Sequence, residues 1–515
     1  MENRDNGETQ MTGIAISTGA SSAKPLNWPD LKWSVFQKHV FRLQVRIAKA
    51  EREEKRGRVK ALQRLITCSF SAKVLAVKRV TSSSGSKTPG VDNIVWNTNK
   101  QKTQAIFNLK RRGYTPKPLR RIHIRKKLGS KILRPLSIPC MIDRAQQALY
   151  LQSLEPLVEE WADPNAYGFR KKRSTHDAVE QCFIALSTRK SATWVLEGDI
   201  RKCFDTLSHS WLEDNIPMDK VILRKFLKAG FMEHQKFYPT EFGCPQGSPI
   251  SPTLMVMALS GLERKLLPAK RYQKEREKIN VIAYADDFIV TAATKEILED
   301  RILPILHSAL KEVGLELSME KTKITNIADG FDFLGFHFRK YNGKLLIKPS
   351  KANIKKFLKE IKLVIKKGIA LPTDKLIRTL NSRLTGWVNY YKSSVASKVF
   401  KTVDSEIFYA LMRYCQNRHH NKGKPWLVKK YFTSHGGDNW RFHCKIKVET
   451  GEQKLLYLKK ASDTKIRRHI KIRSTANPFN PQYKEYFAKR EGERKQRAKN
   501  INDTDSAGLR TIQSY

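Results

Sequence analysis

The spacing of apolar residues in the N-terminal part of the chain predicts helices. From about residue 26 to residue 79, apolar side chains recur every three to four positions with Lys and Arg between them. Examples are Leu43, Ile47, Ala50, Val59, Leu62 and Ile66. The stretch SSSGSKTPGVD, rich in turn-forming residues, ends this pattern. We therefore expect a helical N-terminal module with cationic faces, preceded by a polar, disordered lead at residues 1–25.

The middle of the chain alternates between strand and helix patterns. LRRIHIRKKLGSKILRPLSIP (119–139) alternates apolar and basic residues, which predicts a β-hairpin with a cationic face. TWVLEGDIRKCFD predicts a buried strand that ends at Asp199, and VIAYADDFIV (281–290) predicts a hairpin with Asp286 and Asp287 at its tip. FDFLGFHF predicts one short aromatic strand. Helices are expected in DRAQQALYLQSLEPLVEEWA, in the segment after the GCPQGSPISP loop, and in ILEDRILPILHSALKEVGLEL.

The pattern changes after about residue 345. Basic helices are expected around Ile354–Ile365, in LIRTLNSRLTGWVNYYK and in VFKTVDSEIFYALMRYCQNRHH. From about residue 423 the chain is rich in Lys, Arg and aromatic residues, and NWRFHCKIKV predicts a strand. The segment from residue 491 to residue 515 has too few apolar residues to fold alone, so we expect a disordered tail.

The net charge of the chain limits the kinds of molecule that it is expected to bind. The 515 residues carry a formal net charge of +49, which favours a polyanion and above all a nucleic acid. An anionic membrane surface is the alternative, but we find no uncharged run long enough to cross a bilayer. Charge by itself also fits a basic scaffold without catalysis. The seven cysteines form no Cys-x-x-Cys pair, which favours a reducing compartment over a disulfide framework.

The acidic residues at two predicted strand ends suggest chemistry. If the strand ending at Asp199 pairs with the 281–290 hairpin, three carboxylates meet at one edge of a sheet, where strands lie about 5 Å apart. Such hard oxygen ligands suit Mg²⁺, and two Mg²⁺ ions about 4 Å apart can activate a 3′-hydroxyl and stabilise a pyrophosphate leaving group. The alternative is that Asp286 and Asp287 only form a turn, since Asp is common in turns.

These motifs together resemble a known family. YADD, DIRKCFD and GCPQGSPISPTLMVMALSGLE are similar to blocks of the group II intron-encoded reverse transcriptases, also called maturases. RPLSIP, AYGFRKKRSTHDA, GLELSMEKTKI and LNSRLTGWVNYYK follow in that family's order. The resemblance implies an α+β fold shaped like a right hand. It implies fingers and palm at 26–345, a helical thumb or domain X at 346–422 and a basic DNA-binding region at 423–490.

The same resemblance implies site residues. Asp199, Asp286 and Asp287 would be the catalytic metal ligands, joined by the Ile200 carbonyl, with two Mg²⁺ ions as cofactor. Phe204 would exclude a 2′-hydroxyl and so select deoxynucleotides. The remaining implied nucleotide-binding residues are Lys126 and Arg134 on the basic hairpin, Gln246 and Gly247 in the pocket, and Lys321 near the pyrophosphate. Lys323 is an equally near alternative to Lys321, and Phe204 is also compatible with plain core packing.

Contacts to nucleic acid are implied at two places. Arg170, Lys171, Lys172 and Arg173 would lie along the template backbone, with a solvated loop as the alternative. Tyr390 and Tyr391 would stack on bases, although aromatic residues at helical spacing also fit a core, as we prefer for Trp387.

The function implied is an RNA-directed DNA polymerase that also helps its intron splice. A splicing factor without polymerase activity is the alternative, although such a protein has no chemical need for the three acids. The partners implied are intron RNA, target DNA and deoxynucleoside triphosphates, with no membrane and with a homodimer left open. We expect a bacterial cytoplasm and nucleoid, or an organelle if the gene is organellar. Many members of that family continue into an HNH-type endonuclease with paired Cys-x-x-Cys zinc ligands. This chain departs from that pattern, since the remaining candidates do not form a convincing ligand set, and we expect no second-strand cleavage by this chain alone; they are Cys415, His419, His420, His435, His443 and Cys444.

Overall fold

Helices build the N-terminal part of the protein, as the apolar spacing predicts. The computed structural model describes residues 27–125, 133–447 and 452–507. The predicted N-terminal lead lies outside these ranges. The first helices are α1 (Trp33–Arg52), α2 (Arg56–Cys68), α3 (Phe70–Thr81), α4 (Asn99–Asn108) and α5 (Met141–Trp161). Helix α5 is buried on nearly all sides, and α1, α2 and α3 pack against it.

Further helices connect the strands and form the second half of the chain. In chain order they are α6 (Thr175–Leu186), α7 (Cys203–Thr206), α8 (His209–Asn215), α9 (Lys220–Leu227), α10 (Ser251–Leu259), α11 (Leu262–Leu266), α12 (Arg271–Glu277), α13 (Leu303–Glu312), α14 (Lys351–Lys367), α15 (Thr373–Tyr391), α16 (Ser397–Arg418), α17 (Lys424–Tyr431) and α18 (Lys484–Ala507). A π-helical turn, Ile297–Ile302, leads into α13.

Within the residues that the structure describes, the strands form four small sheets. In chain order they are β1 (Leu119–Arg125), β2 (Leu133–Ile138), β3 (Trp194–Arg201), β4 (Phe231–Glu233), β5 (Lys236–Tyr238), β6 (Asn280–Tyr284), β7 (Asp287–Ala292), β8 (Glu316–Leu317), β9 (Lys323–Asn326), β10 (Phe331–Phe333), β11 (Phe336–Tyr341), β12 (Lys344–Pro349), β13 (Phe432–His435), β14 (Asp438–Lys447) and β15 (Gln453–Tyr457). These sheets are mostly antiparallel, and β1 pairs with β4 in parallel. With the helices they confirm the predicted α+β class.

The central sheet lies between two hydrophobic cores. Its order is β6-β7-β3, and the other edge of β3 pairs with β9 and then with β8. Side chains alternate between the faces of a strand, so Leu196 and Val290 enter one core while Val195 and Ile289 enter the other. Burial on both faces explains why these strands have nearly continuous apolar sequences. Burial on both faces also fixes the end of the sheet where the acidic residues lie.

The predicted thumb is helical and packs against a small sheet. Helices α14, α15 and α16 share a core with β10, β11 and β12. The prediction of one strand for FDFLGFHF is wrong, because the chain forms two paired strands, β10 and β11. It reverses at Leu334 and Gly335, which both have positive φ, and alternation of aromatic residues does not reveal such a turn.

The C-terminal region folds back onto the rest of the protein. Strands β13, β14 and β15 form a sheet beside α15, α16 and α17. The tail differs from the prediction, because α18 continues to Ala507 where we expected disorder from residue 491. Ion pairs hold the first part of this helix to the protein, since Arg490 contacts the carboxylate of Asp177 at 3.1 Å and Glu491 contacts Lys172 at 3.0 Å. Residues 508–515 lie outside the described ranges.

Two expectations from composition can be compared with the structure. All seven cysteines are free thiols, and five of them are buried. Within the described ranges, no helix is long and apolar enough to span a bilayer. The predicted domain boundaries remain predictions.

Candidate active site

The strand pairing brings the three predicted acidic residues to one end of the central sheet. Asp199 in β3 lies directly opposite Asp287 in β7. Strands β6 and β7 are joined by a tight turn at Ala285 and Asp286, with Tyr284 paired to Asp287. Ala285 has a φ of +60°, a value that usually requires glycine at this point of a hairpin. The turn therefore holds Asp286 beside Asp287 and next to the strand that carries Asp199.

A lysine contacts this acidic cluster. Lys321 Nζ donates to Asp199 Oδ2 at 2.6 Å. The loop after β8 is fixed to β3, because the Ser318 N–H donates to the Asp199 carbonyl at 2.8 Å and the Lys321 N–H donates to the Ser318 carbonyl at 3.0 Å. Lys323, the alternative that the sequence left open, lies in β9 opposite Glu197. The geometry therefore brings Lys321, and not Lys323, to the carboxylates.

Electrostatics disfavours the ionised form of Asp287. Loss of hydration, together with the charges of Asp286 and Asp199, raises the pKa of Asp287 to about 6, and Lys321 partly offsets this. Among the described residues, no group of three His, Cys, Asp or Glu side chains is already arranged to hold a metal ion. The Asp199 carboxylate instead accepts a hydrogen bond from Lys321. The chemistry of the donors nevertheless fits a divalent cation, since hard oxygen ligands carrying mutually repelling charges are stabilised by one. Ile200, the predicted carbonyl ligand, is paired with Leu317 in β8.

Two predicted nucleotide-binding elements contact each other. Arg134 Nε donates to Gln246 Oε1 at 2.6 Å, and the Ser137 N–H donates to the Gln246 carbonyl at 2.8 Å. Gly247 has a φ of +107°, and an added Cβ there would lie 3.0 Å from the Ser137 carbonyl oxygen. The loop that carries Gln246 and Gly247 thus packs on β2 of the basic hairpin. Lys126 lies outside the described residues.

Phe204 follows β3 in the short helix α7. Its side chain is 9% exposed and belongs to the larger core, with the Phe169 ring edge-on at 6.4 Å. The position fits both the predicted contact with the sugar and plain core packing.

The predicted template contact does not hold for two of the four cations in the FRKKR segment. The side chains of Arg170 and Arg173 are only 2% and 1% exposed. Arg170 donates to Glu159 at 2.9 Å, and Arg173 donates to backbone carbonyls of the C-terminal region. Lys171 and Lys172 are exposed and form ion pairs with Glu155 and Glu491. The sequence could not reveal the burial of Arg173, because its carbonyl acceptors lie about 300 residues away in the chain, whereas the acceptors of Arg170 lie within 11 residues of it.

The predicted base stacking is wrong for Tyr391. That side chain is 4% exposed, and its hydroxyl donates to the Gly335 carbonyl at 3.2 Å. Tyr390 is half-buried, stacks on Phe336 and donates to the Leu334 carbonyl. Trp387 stacks on Phe357 in the same core, as we preferred from its helical spacing. These rings join the predicted thumb to the β10–β11 turn.

Sequence reasoning missed a cationic cleft far along the chain from the acidic cluster. The cleft has a volume of about 1250 Å³ and lies between α2, the loop at residues 109–112 and the segment at residues 214–220. Its cationic lining residues are Arg56, Lys60, Arg64, Lys73, Lys110, Arg111, Arg112 and Lys220. A signal was present in the sequence, since Arg56, Lys60 and Arg64 are four residues apart and share one face of α2.

Family profiles match most of the chain. The profile described as "Reverse transcriptase (RNA-dependent DNA polymerase)" matches residues 124–338. The profile for the "N-terminal domain of reverse transcriptase" matches residues 28–109. The profile "Group II intron, maturase-specific domain" matches residues 354–432. The acidic cluster lies in the first of these segments and the cationic cleft begins in the second.

The chain is also similar to individual proteins. The group II intron-encoded protein LtrA of Lactococcus lactis subsp. cremoris is 28% identical over 413 residues, which cover 62% of this chain and 68% of LtrA. Protein YkfC of Escherichia coli (strain K12) is 32% identical over 322 residues, covering 53% of this chain and 82% of YkfC. Among solved structures, telomerase from Candida albicans has a TM-score of 0.37 and 13% identity, covering 62% of this chain and 61% of the telomerase chain.

Proposed function

The chain belongs to the family of group II intron-encoded reverse transcriptases, or maturases, and from that premise we propose that it is an RNA-directed DNA polymerase. It copies intron RNA into cDNA and binds that RNA to promote splicing and mobility. The observation that supports the polymerase most directly is Asp199 opposite Asp287 with Asp286 in the adjoining turn. A splicing factor has no chemical use for three carboxylates beside one lysine.

The residues of the acidic cluster, at one end of the central sheet, suit nucleotide transfer. Asp199, Asp286 and Asp287, with the Ile200 carbonyl, would hold two Mg²⁺ ions, which when bound acidify the primer 3′-hydroxyl and neutralise the leaving pyrophosphate. Lys321 gives its proton to the pyrophosphate, since its ammonium already lies at the cluster. Arg134 and Lys126 bind the triphosphate, and Arg134 is oriented for this by Gln246.

Two other residues select and admit the nucleotide. Gly247 fixes the loop that lines the nucleotide pocket against β2, because its φ of +107° and its closeness to the Ser137 carbonyl favour glycine there. Phe204 blocks the space that a 2′-hydroxyl needs, and its burial in the core keeps the ring in place.

Nucleotide incorporation by the purified full chain tests the polymerase. With poly(rA)/oligo(dT), dTTP and Mg²⁺, the parent protein should incorporate dTMP and Asp286→Asn should not. A matched control is Asp300→Asn, which removes an exposed carboxylate from the π-helical turn Ile297–Ile302 and should retain activity. Absence of incorporation by the parent would refute the polymerase and favour the splicing-only alternative.

The intron RNA is proposed to bind in the cationic cleft. Lys60 and Arg64 are exposed on the face of α2 that lines the cleft, so their charges are available to phosphates. The variant Lys60→Glu/Arg64→Glu should bind the RNA at least about tenfold more weakly and reduce the salt slope by roughly one per phosphate contact.

A charge-matched control makes the RNA experiment specific. Lys49→Glu/Lys311→Glu changes net charge equally at exposed positions outside the cleft lining. It should lose much less affinity in a filter-binding or fluorescence-anisotropy titration against the intron transcript. Equal losses in the two variants would show that only total charge matters, and the cleft would then have no special role.

A further inference from the structure

A short segment at residues 165–168 lies along the outer edge of β6 and supports the turn at Ala285 and Asp286, which we call the catalytic turn. The Ala283 N–H donates to the Asn165 carbonyl at 3.0 Å, and the Tyr167 N–H donates to the Ala283 carbonyl at 2.9 Å. Gly168 lies directly against the turn, since an added Cβ would be 2.9 Å from the Ala285 Cα. We call residues 165–168 the buttress.

The turn needs such support for two reasons. Ala285 has a positive φ, which an alanine adopts only when its surroundings hold it there. The turn also keeps Asp286 and Asp287 together against their mutual repulsion, which helps to raise the pKa of Asp287. A loosened buttress would therefore let the turn relax away from the geometry that catalysis requires.

The buttress is in turn fixed by the C-terminal region. Residues 469–477, which we call the strap, lie next to the buttress and are bonded to Arg173 and Asn165. Arg173 Nη2 donates to the carbonyls of Ser474 at 3.1 Å and Ala476 at 3.2 Å. Ser474 Oγ donates to Asn165 Oδ1 at 3.3 Å. The Arg173 guanidinium also lies 5.9 Å from the Tyr167 ring centre, so one buried cation touches both buttress and strap.

A second buried group anchors the other end of the strap. Asp177 is 1% exposed and accepts bonds from His469 Nε2 at 2.9 Å, the Ile472 N–H at 2.7 Å and Arg490 Nη2 at 3.1 Å. It also caps its own helix, because Ser174 donates to it through its N–H and its hydroxyl. The strap is thus bonded to the interior at two points and is not free to act as a separate nucleic-acid-binding arm.

We propose that Arg173 is a positioning residue, through which the strap holds the buttress and hence the catalytic turn in place. The C-terminal region then contributes to catalysis without touching substrate. The kinetic part of this inference rests on the proposed polymerase function, whereas the structural coupling does not. Arg173, predicted from the sequence to lie on the template, therefore acts from inside the protein.

Two readouts test the coupling in the full chain. Arg173→Gln should accelerate hydrogen exchange of amides in the 281–290 peptide by about tenfold. It should also lower kcat for dTMP incorporation by about tenfold while KM for dTTP stays within about twofold, because misplacement affects the reaction more than ground-state binding. Arg173→Lys, which keeps the charge and one donor group, should recover part of both losses.

Matched variants separate this effect from general destabilisation. Arg301→Gln removes an Arg–Glu ion pair of 2.7 Å that contacts neither strap nor buttress, and it should leave both readouts unchanged. Asp177→Asn weakens the contacts of Asp177 with the strap and with the α6 cap at Ser174 but keeps the Arg173 side chain. It should shift both readouts in the same direction, so it decides the case if Arg173→Gln does not fold.

The two proposals fail in distinguishable ways. A folded Arg173→Gln variant with parental exchange in 281–290 overturns the coupling, whatever its activity. A parent protein that incorporates no dTMP overturns the polymerase instead, and the exchange measurement still decides whether the strap holds the turn. Faster exchange with unchanged kcat would refute the catalytic role of Arg173.

Discussion

Removing one carboxylate from the acidic cluster should stabilise the protein while abolishing its activity. Burial and two neighbouring carboxylates raise the pKa of Asp287 from 3.8 to about 6. A shift of this size corresponds to roughly 3 kcal/mol of unfavourable free energy for the ionised form in the folded state. Asp287 is nevertheless exposed at the start of β7, so water screens much of this repulsion. We therefore expect Asp287→Asn to gain about 1 kcal/mol at pH 7.5.

The pH dependence gives the prediction its sign. Because the folded-state pKa lies above the unfolded value, the stability that Asp287 contributes is fully present below about pH 4. It is lost as the pH rises from about 4 through about 6. The asparagine does not titrate, so the advantage of Asp287→Asn should be largest above pH 6 and should vanish near pH 4.

Thermal unfolding at several pH values measures this effect. At pH 7.5 the melting temperature of Asp287→Asn should exceed that of the parent by about 1–2 °C, given the size of the chain. Mg²⁺ should narrow the gap, because a ligand that binds the folded parent stabilises it selectively. Asp300→Asn, at an exposed site, should melt like the parent. An advantage that is absent at pH 7.5, or equally large at pH 4, would refute the repulsion between these carboxylates.

Three further predictions concern the nucleotide site. Lys321→Met should slow dTMP incorporation about 10²-fold with unchanged RNA affinity, whereas Lys323→Met should remain active; equal losses would remove the special role of Lys321. Gly247→Ala should raise KM for dTTP about tenfold, because its Cβ would crowd the Ser137 carbonyl, and steady-state kinetics that show an unchanged KM would contradict this contact. Phe204→Val should increase incorporation of ribonucleotides relative to deoxynucleotides on the same template, and an unchanged ratio would leave Phe204 with a packing role only.

Local elements of the central sheet could be predicted, but their pairing could not be derived from pattern alone. Alternating and continuous apolar runs identify β3 and the β6–β7 hairpin, because burial of one or both faces imposes those patterns. Neither apolar run indicates that Asp199 pairs with Asp287. That register depends on the whole core, and only the order of the motifs suggested it.

The errors arose where long-range contacts decide the environment of a residue. A run such as FRKKR is typical of a solvated surface, yet Arg170 and Arg173 are buried. Arg173 donates to two carbonyls near the C-terminus, which the local sequence does not reveal. Arg170 donates to Glu159 and to the carbonyls of Asp163 and Ala166, which are near in sequence but are brought to it only by the fold. Similarly, helical spacing of Tyr391 fits either a stacking surface or a core, and the turn at Gly335 decides for the core.

The location of the cations, more than their number, distinguishes the two proposed activities, RNA binding and nucleotide transfer. The net charge of +49 implies a polyanionic partner, but the buried Arg173 cannot contact one, whereas Lys60 and Arg64 remain exposed in the cleft. Under the proposed function, RNA binding would depend on the cationic cleft, and nucleotide transfer would depend on the turn at Ala285 and Asp286 that the strap supports. Splicing assistance by mass action requires only the first of these. Arg173→Gln should therefore lower cDNA synthesis while intron binding and splicing persist. Lys60→Glu/Arg64→Glu should weaken intron binding and splicing while cDNA synthesis persists on a template that lacks the intron.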